Sequence, residues 1–284
     1  MSYLTASGES VRIRVDPGGT ALFVSLIRAG FRRYATYWQA ALAGLFTNTV
    51  FGLLRCYVLL AVVAGAGGSA AGYSGPQLVT YTWVTQGLLA VVMLWGWTDL
   101  SDRIRSGDIV TDLLRPASPI RTYLAIDLGR AAFALLSRFV VPITVGALVF
   151  TMFVPQRGST WPLFVVSVAL AVVLCFACRY LVNCVAYWLL DSRGPVIAWQ
   201  LASGMLAGLG FPLRFLPDWL VAVLWIGTPF PSMMQASVDV VIERDPVGTQ
   251  VAIVGWQAVW AVAMLALCGL VQRRAERRMV VQGG

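Results

Sequence analysis

Four aspartates, Asp99, Asp102, Asp108 and Asp112, crowd into one polar stretch of the chain, residues 98–121, TDLSDRIRSGDIVTDLLRPASPIR. Clustered carboxylates are what a divalent-cation site needs, and the Asp99-x-x-Asp102 spacing would suit a membrane-embedded enzyme acting on lipid or isoprenoid substrates. Arg103, Arg105 and Arg115 interleave with these acids, so ion-paired helix faces read better than an acidic chelate. Other chemistries lack their side chains. The sequence contains no histidine, the commonest general base and metal ligand. It contains no lysine either, so a phosphate-cradling G-x-x-x-x-G-K-[ST] loop cannot be built and ATP-driven work would need another subunit. Cys175 and Cys178 form a C-x-x-C pair without a second ligand pair. They read, with Cys56, Cys184 and Cys268, as small apolar residues inside helices. No catalytic residue and no metal site is expected.

The elements that must position the polar stretch are apolar. Of 284 residues 58% are hydrophobic and 12% charged, with mean hydropathy +0.76, whereas soluble domains carry about 25% charged residues. The composition predicts an all-α polytopic membrane protein, one domain over 1–284. Residues 1–20 lack the apolar run of a signal peptide and are expected to be retained. Residues 20–36 alternate apolar positions with Arg28, Arg32 and Arg33, as in an amphipathic helix on the membrane surface with its arginines toward anionic headgroups. Six spans follow, at about 37–63, 78–97, 125–154 (with a kink at Pro142), 162–190, a fifth that leaves a tight turn at 191–195 and reaches about 211, and 247–271. Residues 212–246 are broken by Pro212, Pro217, Pro229 and Pro231 and read as a re-entrant or outer-surface helical hairpin.

Arginine placement orients these spans. Five arginines precede Tyr37, four lie in 98–121, one is Arg193 and four follow the last span. The opposite side has Arg157, Arg214 and Arg244. Positive charge collects on the cytoplasmic side, so both termini and 98–121 are expected inside and the hairpin outside. The net charge of +8 therefore reports orientation, with no concentrated basic face for nucleic acid.

Within 98–121, Leu100, Ile104, Ile109, Leu113 and Leu114 are spaced to share a face of two short helices. Gly107 is the expected left-handed terminator of the first, and the Asp108 carboxylate the expected cap of the second. Arg115-Pro116 stops the second helix and Ser118-Pro119 restarts the chain. Two capped turns read as a docking element, where a passive linker would need none. Four further arginines fall in spans. Arg130 and Arg179 lie within reach of the cytoplasmic interface and are expected to snorkel. Arg55 and Arg138 lie deeper, as anchors or substrate contacts, with Asp127 and Asp191 the nearest acids. Tyr81, Gln86 and Met93 in span two, and Trp199, Gln200 and Met205 in span five, could line a path for an amphipathic or cationic aromatic guest. Gly204-x-x-x-Gly208 would let another helix backbone approach.

The run Ile104-Arg105-Ser106-Gly107-Asp108, then Leu113-Leu114-Arg115-Pro116, resembles the permease subunits of bacterial type-2 ABC exporters, in their six-span drug and natural-product branch. Gly72-Tyr73-Ser74 and Pro217-Asp218-Trp219 support the resemblance over most of the chain. It implies a coupling helix seated on an ATPase subunit through Arg103, Arg105, Gly107, Asp108, Leu113, Leu114, Arg115 and Pro116. It further implies two ATPase copies holding ATP and magnesium, a second permease chain, identical or similar, and contact with membrane lipids. The implied activity is export of a hydrophobic or amphipathic small molecule across the bacterial inner membrane, with spans two and five lining the path. A lipid-modifying enzyme and a non-catalytic scaffold or channel are the competing readings.

Overall fold

The computed structural model describes residues 3–4, 10–11, 19–36, 38–114, 117–189 and 192–282. Two-residue strands β1 (Tyr3–Leu4) and β2 (Ser10–Val11) pair antiparallel, and among the described residues the regular elements after them are helices except for one further hairpin. Helix α1 (Gly19–Thr36) leads into α2 (Trp38–Gly65). Strands β3 (Ser69–Ala70) and β4 (Tyr73–Ser74) then turn through Ala71 and Gly72, both at positive φ (49° and 79°), as a tight two-residue hairpin turn requires.

Helix α3 (Gly75–Leu88) starts from a complete capping box. Ser74 Oγ accepts from the Gln77 amide while the Gln77 side chain accepts from the Ser74 amide. Every residue from Leu78 to Leu88 is buried, so α3 is the post around which the bundle packs. Its polar side chains are accordingly hydrogen-bonded: the Thr80 hydroxyl donates to Phe153 O (3.0 Å), Thr82 to Leu78 O (2.9 Å) and Thr85 to Thr82 O (2.8 Å). The helix continues into a π turn, Leu89–Met93, and breaks at Met93 and Gly96, both at positive φ.

The polar stretch forms α4 (Asp99–Ser106) and α5 (Ile109–Leu113). Helix α6 (Pro119–Ala134) passes through a second π turn, Leu135–Phe139, into α7 (Val140–Val149). Pro142 has no N–H for the Arg138 carbonyl and its ring crowds that group, so the expected kink takes the form of this π turn. Then come α8 (Thr160–Cys184) with a 3-10 turn Val185–Tyr187, α9 (Arg193–Leu206), α10 (Asp218–Gly227), α11 (Phe230–Met233), α12 (Gln235–Val241) and α13 (Val247–Gln282).

The protein is an all-α polytopic membrane protein. Among the described residues four helices are long and apolar enough to cross a bilayer: 43–65, 119–149, 160–187 and 247–277. The other two expected spans differ, each for its own reason. The α3 segment is polar and enclosed by protein. Helix α9 has 14 residues, a rise of about 21 Å against a hydrocarbon core of about 30 Å. It stops at Leu206, short of the expected Phe211, because Gly208 takes a left-handed φ of 80°. The Gly204/Gly208 pair is therefore not a helix-packing stripe. Gly204 faces the Trp95 ring, and a Cβ on Gly208 would collide with the Gln235 and Tyr81 side chains.

Helix α1 is tied to the bundle. It packs along α6, where Gly30 faces the Ile126 backbone and Gly129 faces the Ile27 carbonyl, each so close that a Cβ would not fit. Arg33 pairs with Asp99 of α4 at 3.2 Å.

Candidate functional site

The two ends of α8 define the two ends of the molecule. At one, Asn183 clasps the polar stretch: its Oδ1 accepts from the Ser101 amide and its Nδ2 donates to Trp97 O, both at 3.0 Å. Leu100 and Ile109 are fully buried there against Phe176, Tyr180, Cys184 and Cys268. Arg103 locks the two short helices, with Nε donating to Asp112 Oδ2 at 2.8 Å and Nη2 to Thr111 Oγ1 at 3.2 Å. The element is thus rigid on its inner side.

Its outer side is different. Arg105 is exposed, within 4.0 Å of Asp102, and Val110 and Leu114 are 46% and 81% exposed. Leu114 therefore leaves the apolar seam assigned to it, because α5 ends at Leu113. Leu113 is half-buried. Gly107 holds φ 83° as the terminator of α4. Asp108 precedes α5 but makes no side-chain cap, its carboxylate accepting from the Ser106 hydroxyl at 2.8 Å. Ser118 makes none either. Arg115 and Pro116 lie outside the described residues. The aspartates meet arginines here, Asp99 with Arg33, Asp102 with Arg105 and Asp112 with Arg103. No group of three potential metal ligands occurs among the described residues.

Deeper in the same half lies a buried charge cluster. Arg130 and Arg179 are 3% and 2% exposed, so neither snorkels. They share Asp127 of α6: Arg130 Nε donates to Oδ1 at 2.7 Å and Arg179 Nη2 to Oδ2 at 2.8 Å. Burial of an arginine inside a bilayer demands such pairing. Arg130 also donates to the carbonyls of Ala90 (2.6 Å) and Val91 (2.9 Å), within the π turn of the α3 segment. A π turn leaves carbonyls without regular partners, and here a guanidinium supplies them. Arg179 completes its shell with Cys175 O, Met93 Sδ at 3.4 Å and the Trp97 ring at 5.9 Å.

Both π turns open onto one cavity of about 470 Å³, bordered by Tyr34, Asn48, Ala90, Met93, Arg130 and Arg138. Of the residues expected on a path, Met93 is on its wall. Arg138 borders it too, its guanidinium against Gly44 of α2. Gln86 is buried on α3 beside Gly52. Trp199 donates from Nε1 to Leu94 O at 2.8 Å, beside Gln200 at a smaller cleft near Arg179. Met205 is exposed on α9.

Tyr81 sits elsewhere, at the opposite end, in a second buried network. Its hydroxyl lies against the Gly208 carbonyl and 2.7 Å from Gln235 Oε1. Gln235 Nε2 donates to Asp239 Oδ1 at 2.8 Å, and Tyr73 Oη donates to the same oxygen at 3.1 Å. Arg55 reaches across to Gly210 O at 3.2 Å. Neither Arg55 nor Arg138 takes Asp127, which the other two arginines occupy, and Asp191 lies outside the described residues. The sequence offers Asp127 as a partner for Arg55 or Arg138, whereas its partners are Arg130 and Arg179. The available signal was its i,i+3 spacing to Arg130, which places both groups on one helix face.

The molecule is a bundle wrapped around a buried central helix, with a charged element clasped at one end of α8 and the short helices α10–α12 near the other. The chain matches, over residues 50–283, the model of the family described as ABC-2 family transporter protein, and it belongs to that family. No curated protein matches it. The protein is thus a multi-pass transporter component that is not itself catalytic, and its family implies an ABC ATPase partner and a dimeric permease.

Proposed function

We propose that this chain is the permease of an ATP-driven exporter in the bacterial inner membrane, with six passes, the four long apolar helices together with the enclosed α3 segment and the short α9, both termini and residues 98–121 in the cytoplasm, and the hairpin 212–246 outside. The observation that carries the reading is the two-sidedness of α4–α5. One side is clasped by Asn183 and buried on α8; the other presents Arg105, Val110 and Leu114 to solvent. An apolar pair ringed by charge is what a partner groove accepts. Force applied by an ATPase at that face would pass to α8 through Asn183 and to α1 and α6 through Arg33, tilting the spans between inward and outward opening. ATP and magnesium would reside in two ATPase copies, and a second permease chain, identical or similar, would complete the path.

The test is copurification. Val110→Asp with Leu114→Asp, and separately Arg105→Glu with Arg115→Glu, should each cut recovery of the ATPase subunit at least about tenfold while the permease stays in the membrane. Undiminished recovery with both double variants would remove the docking assignment.

A further inference from the structure

The charged groups on the wall of the cavity between the two π turns are already occupied. The Arg130 guanidinium is filled by Asp127 and by the Ala90 and Val91 carbonyls, and Arg138 has a partner of its own. Among the described residues no carboxylate borders the cavity. What the wall leaves open is neutral. Among the described residues the Tyr34 hydroxyl and the Asn48 amide oxygen make no hydrogen bond, and the Asn48 amide nitrogen makes one long one, to Gln86 O at 3.4 Å. Burial raises the Tyr34 pKa against the pull of the nearby arginines, so the phenol stays an uncharged donor and acceptor. Leu89, Trp95 and Phe133 supply an apolar, aromatic face. A volume of about 470 Å³ falls within the range of drug-sized ligand sites.

We propose that this cavity binds an electroneutral amphiphile, its flat apolar body along Leu89, Trp95 and Phe133 and a hydroxyl or amide edge at Tyr34 and Asn48. The inference deepens the exporter reading by naming a substrate class, and it rests on that reading for the step from binding to transport. Entry strips a guest of water. An anion would find only guanidiniums already engaged, a cation would find no carboxylate, and either would bear the cost of desolvating a charge without a counter-charge. A neutral hydroxyl or amide loses far less and regains its hydrogen bonds from Tyr34 and Asn48. A planar body suits the two rings, which offer large apolar faces. The cationic aromatic guest that the tryptophans and tyrosines of the sequence invite would lack a counter-charge at this wall.

A neutral bilayer lipid with a bare hydroxyl, a diacylglycerol, shares this chemistry, so the experiment separates the two sources. The full chain is reconstituted in phosphatidylcholine nanodiscs without ATPase or nucleotide. Saturable binding of pyrenebutanol, pyrenebutyrate, the pyrenebutyl-trimethylammonium cation and butylpyrene is read by energy transfer from tryptophan. Each probe concentration is expressed per bilayer lipid, so that unequal partitioning drops out. Pyrenebutanol should bind at least about tenfold tighter than either charged probe. Tyr34→Phe with Asn48→Leu should weaken pyrenebutanol about tenfold and leave butylpyrene unchanged, and Tyr34→Phe alone should weaken it about threefold. Added dioleoylglycerol should not displace pyrenebutanol. Equal or tighter binding of either charged probe to the unaltered chain overturns the proposal without any variant. So does an alcohol that binds no tighter than butylpyrene, or a preference for it indifferent to the double variant. Displacement by dioleoylglycerol makes the cavity a lipid site and overturns the cargo assignment. A preference for the alcohol that persists while both docking double variants leave ATPase recovery undiminished would remove the docking assignment alone.

Discussion

Two buried aspartates, one in each half of the molecule, are held by opposite strategies. Asp127 is neutralised by charge: two guanidiniums bind its two oxygens, and the π turn of the α3 segment supplies carbonyls to the rest of one of them. Asp239, on α12 outside the spans, is held by neutral donors, Tyr73 and Gln235, both on Oδ1, and its Oδ2 has no hydrogen-bond partner among the described residues. Arg244 lies nearby but spends its guanidinium on the Tyr73 ring, 4.7 Å from its centroid. Burial consequently pushes the Asp239 carboxyl up to about 6, against the pull of Arg244 and of its two hydrogen bonds. One carboxylate is a fixed charge that ties helices together. The other is a carboxyl whose burial favours its protonated form, where α12 meets α3.

The sharpest way to break the comparison is to remove charge from both sites. Asp127→Asn leaves two buried guanidiniums without their counter-ion and should cost about 3–5 kcal/mol, read as loss of folded protein in thermal unfolding of the reconstituted chain. A loss below about 1 kcal/mol would mean that Asp127 does not hold the cluster.

Asp239→Asn should act in the other direction. A carboxyl with a raised folded pKa is favourable to folding in its protonated form, and that advantage is lost as pH rises through about 6. Near neutral pH the amide should therefore stabilise the chain by about 1–3 kcal/mol. The gain should shrink as pH falls below 6 and vanish near 4, where both chains are neutral at this position. A gain that does not change with pH would show that the site is not titrating.

Glu243 supplies an intermediate case. Burial raises its pKa, but the Thr160 hydroxyl and the amides of Arg157 and Gln156 more than reverse that, holding it below the ordinary glutamate range. Its contribution is present above the unfolded pKa and lost as pH falls through the lowered folded one. The stability difference between the native chain and Glu243→Gln should thus close only at strongly acidic pH, in unfolding measured from pH 6 downward. The smallest effect belongs to the exposed Arg33–Asp99 pair: Arg33→Gln should change stability by less than about 1 kcal/mol. Any larger effect in ATPase stimulation would mark that pair as a route for force.

Much of the fold was legible because it follows from local rules. Apolar run lengths located α2, α6–α7, α8 and α13, since each must match a hydrocarbon core by itself. Prolines marked where the chain breaks into the short helices α10–α12, and Gly107 marked the end of α4, since only glycine enters a left-handed turn without penalty. The cap assigned to Asp108 failed because Ser106, two residues away, competes for its carboxylate. Gly204-x-x-x-Gly208 misled because a spacing argument assumes that the helix continues, and α9 stops between the two glycines.

The sequence by itself determined that this is a helical membrane protein, which segments are apolar, and that neither histidine nor lysine is present for hydrolytic chemistry. Only the tertiary structure decided which charges meet. Depth along a helix sent Arg130 and Arg179 to the interface in the sequence reading, because helical rise is a local quantity. Their partner Asp127 lies three residues from one and 52 from the other, and only the packing of α8 against α6 brings all three together. Burial of a charge is decided by such non-local contact, since an ion leaves water only where another chain segment offers the opposite charge.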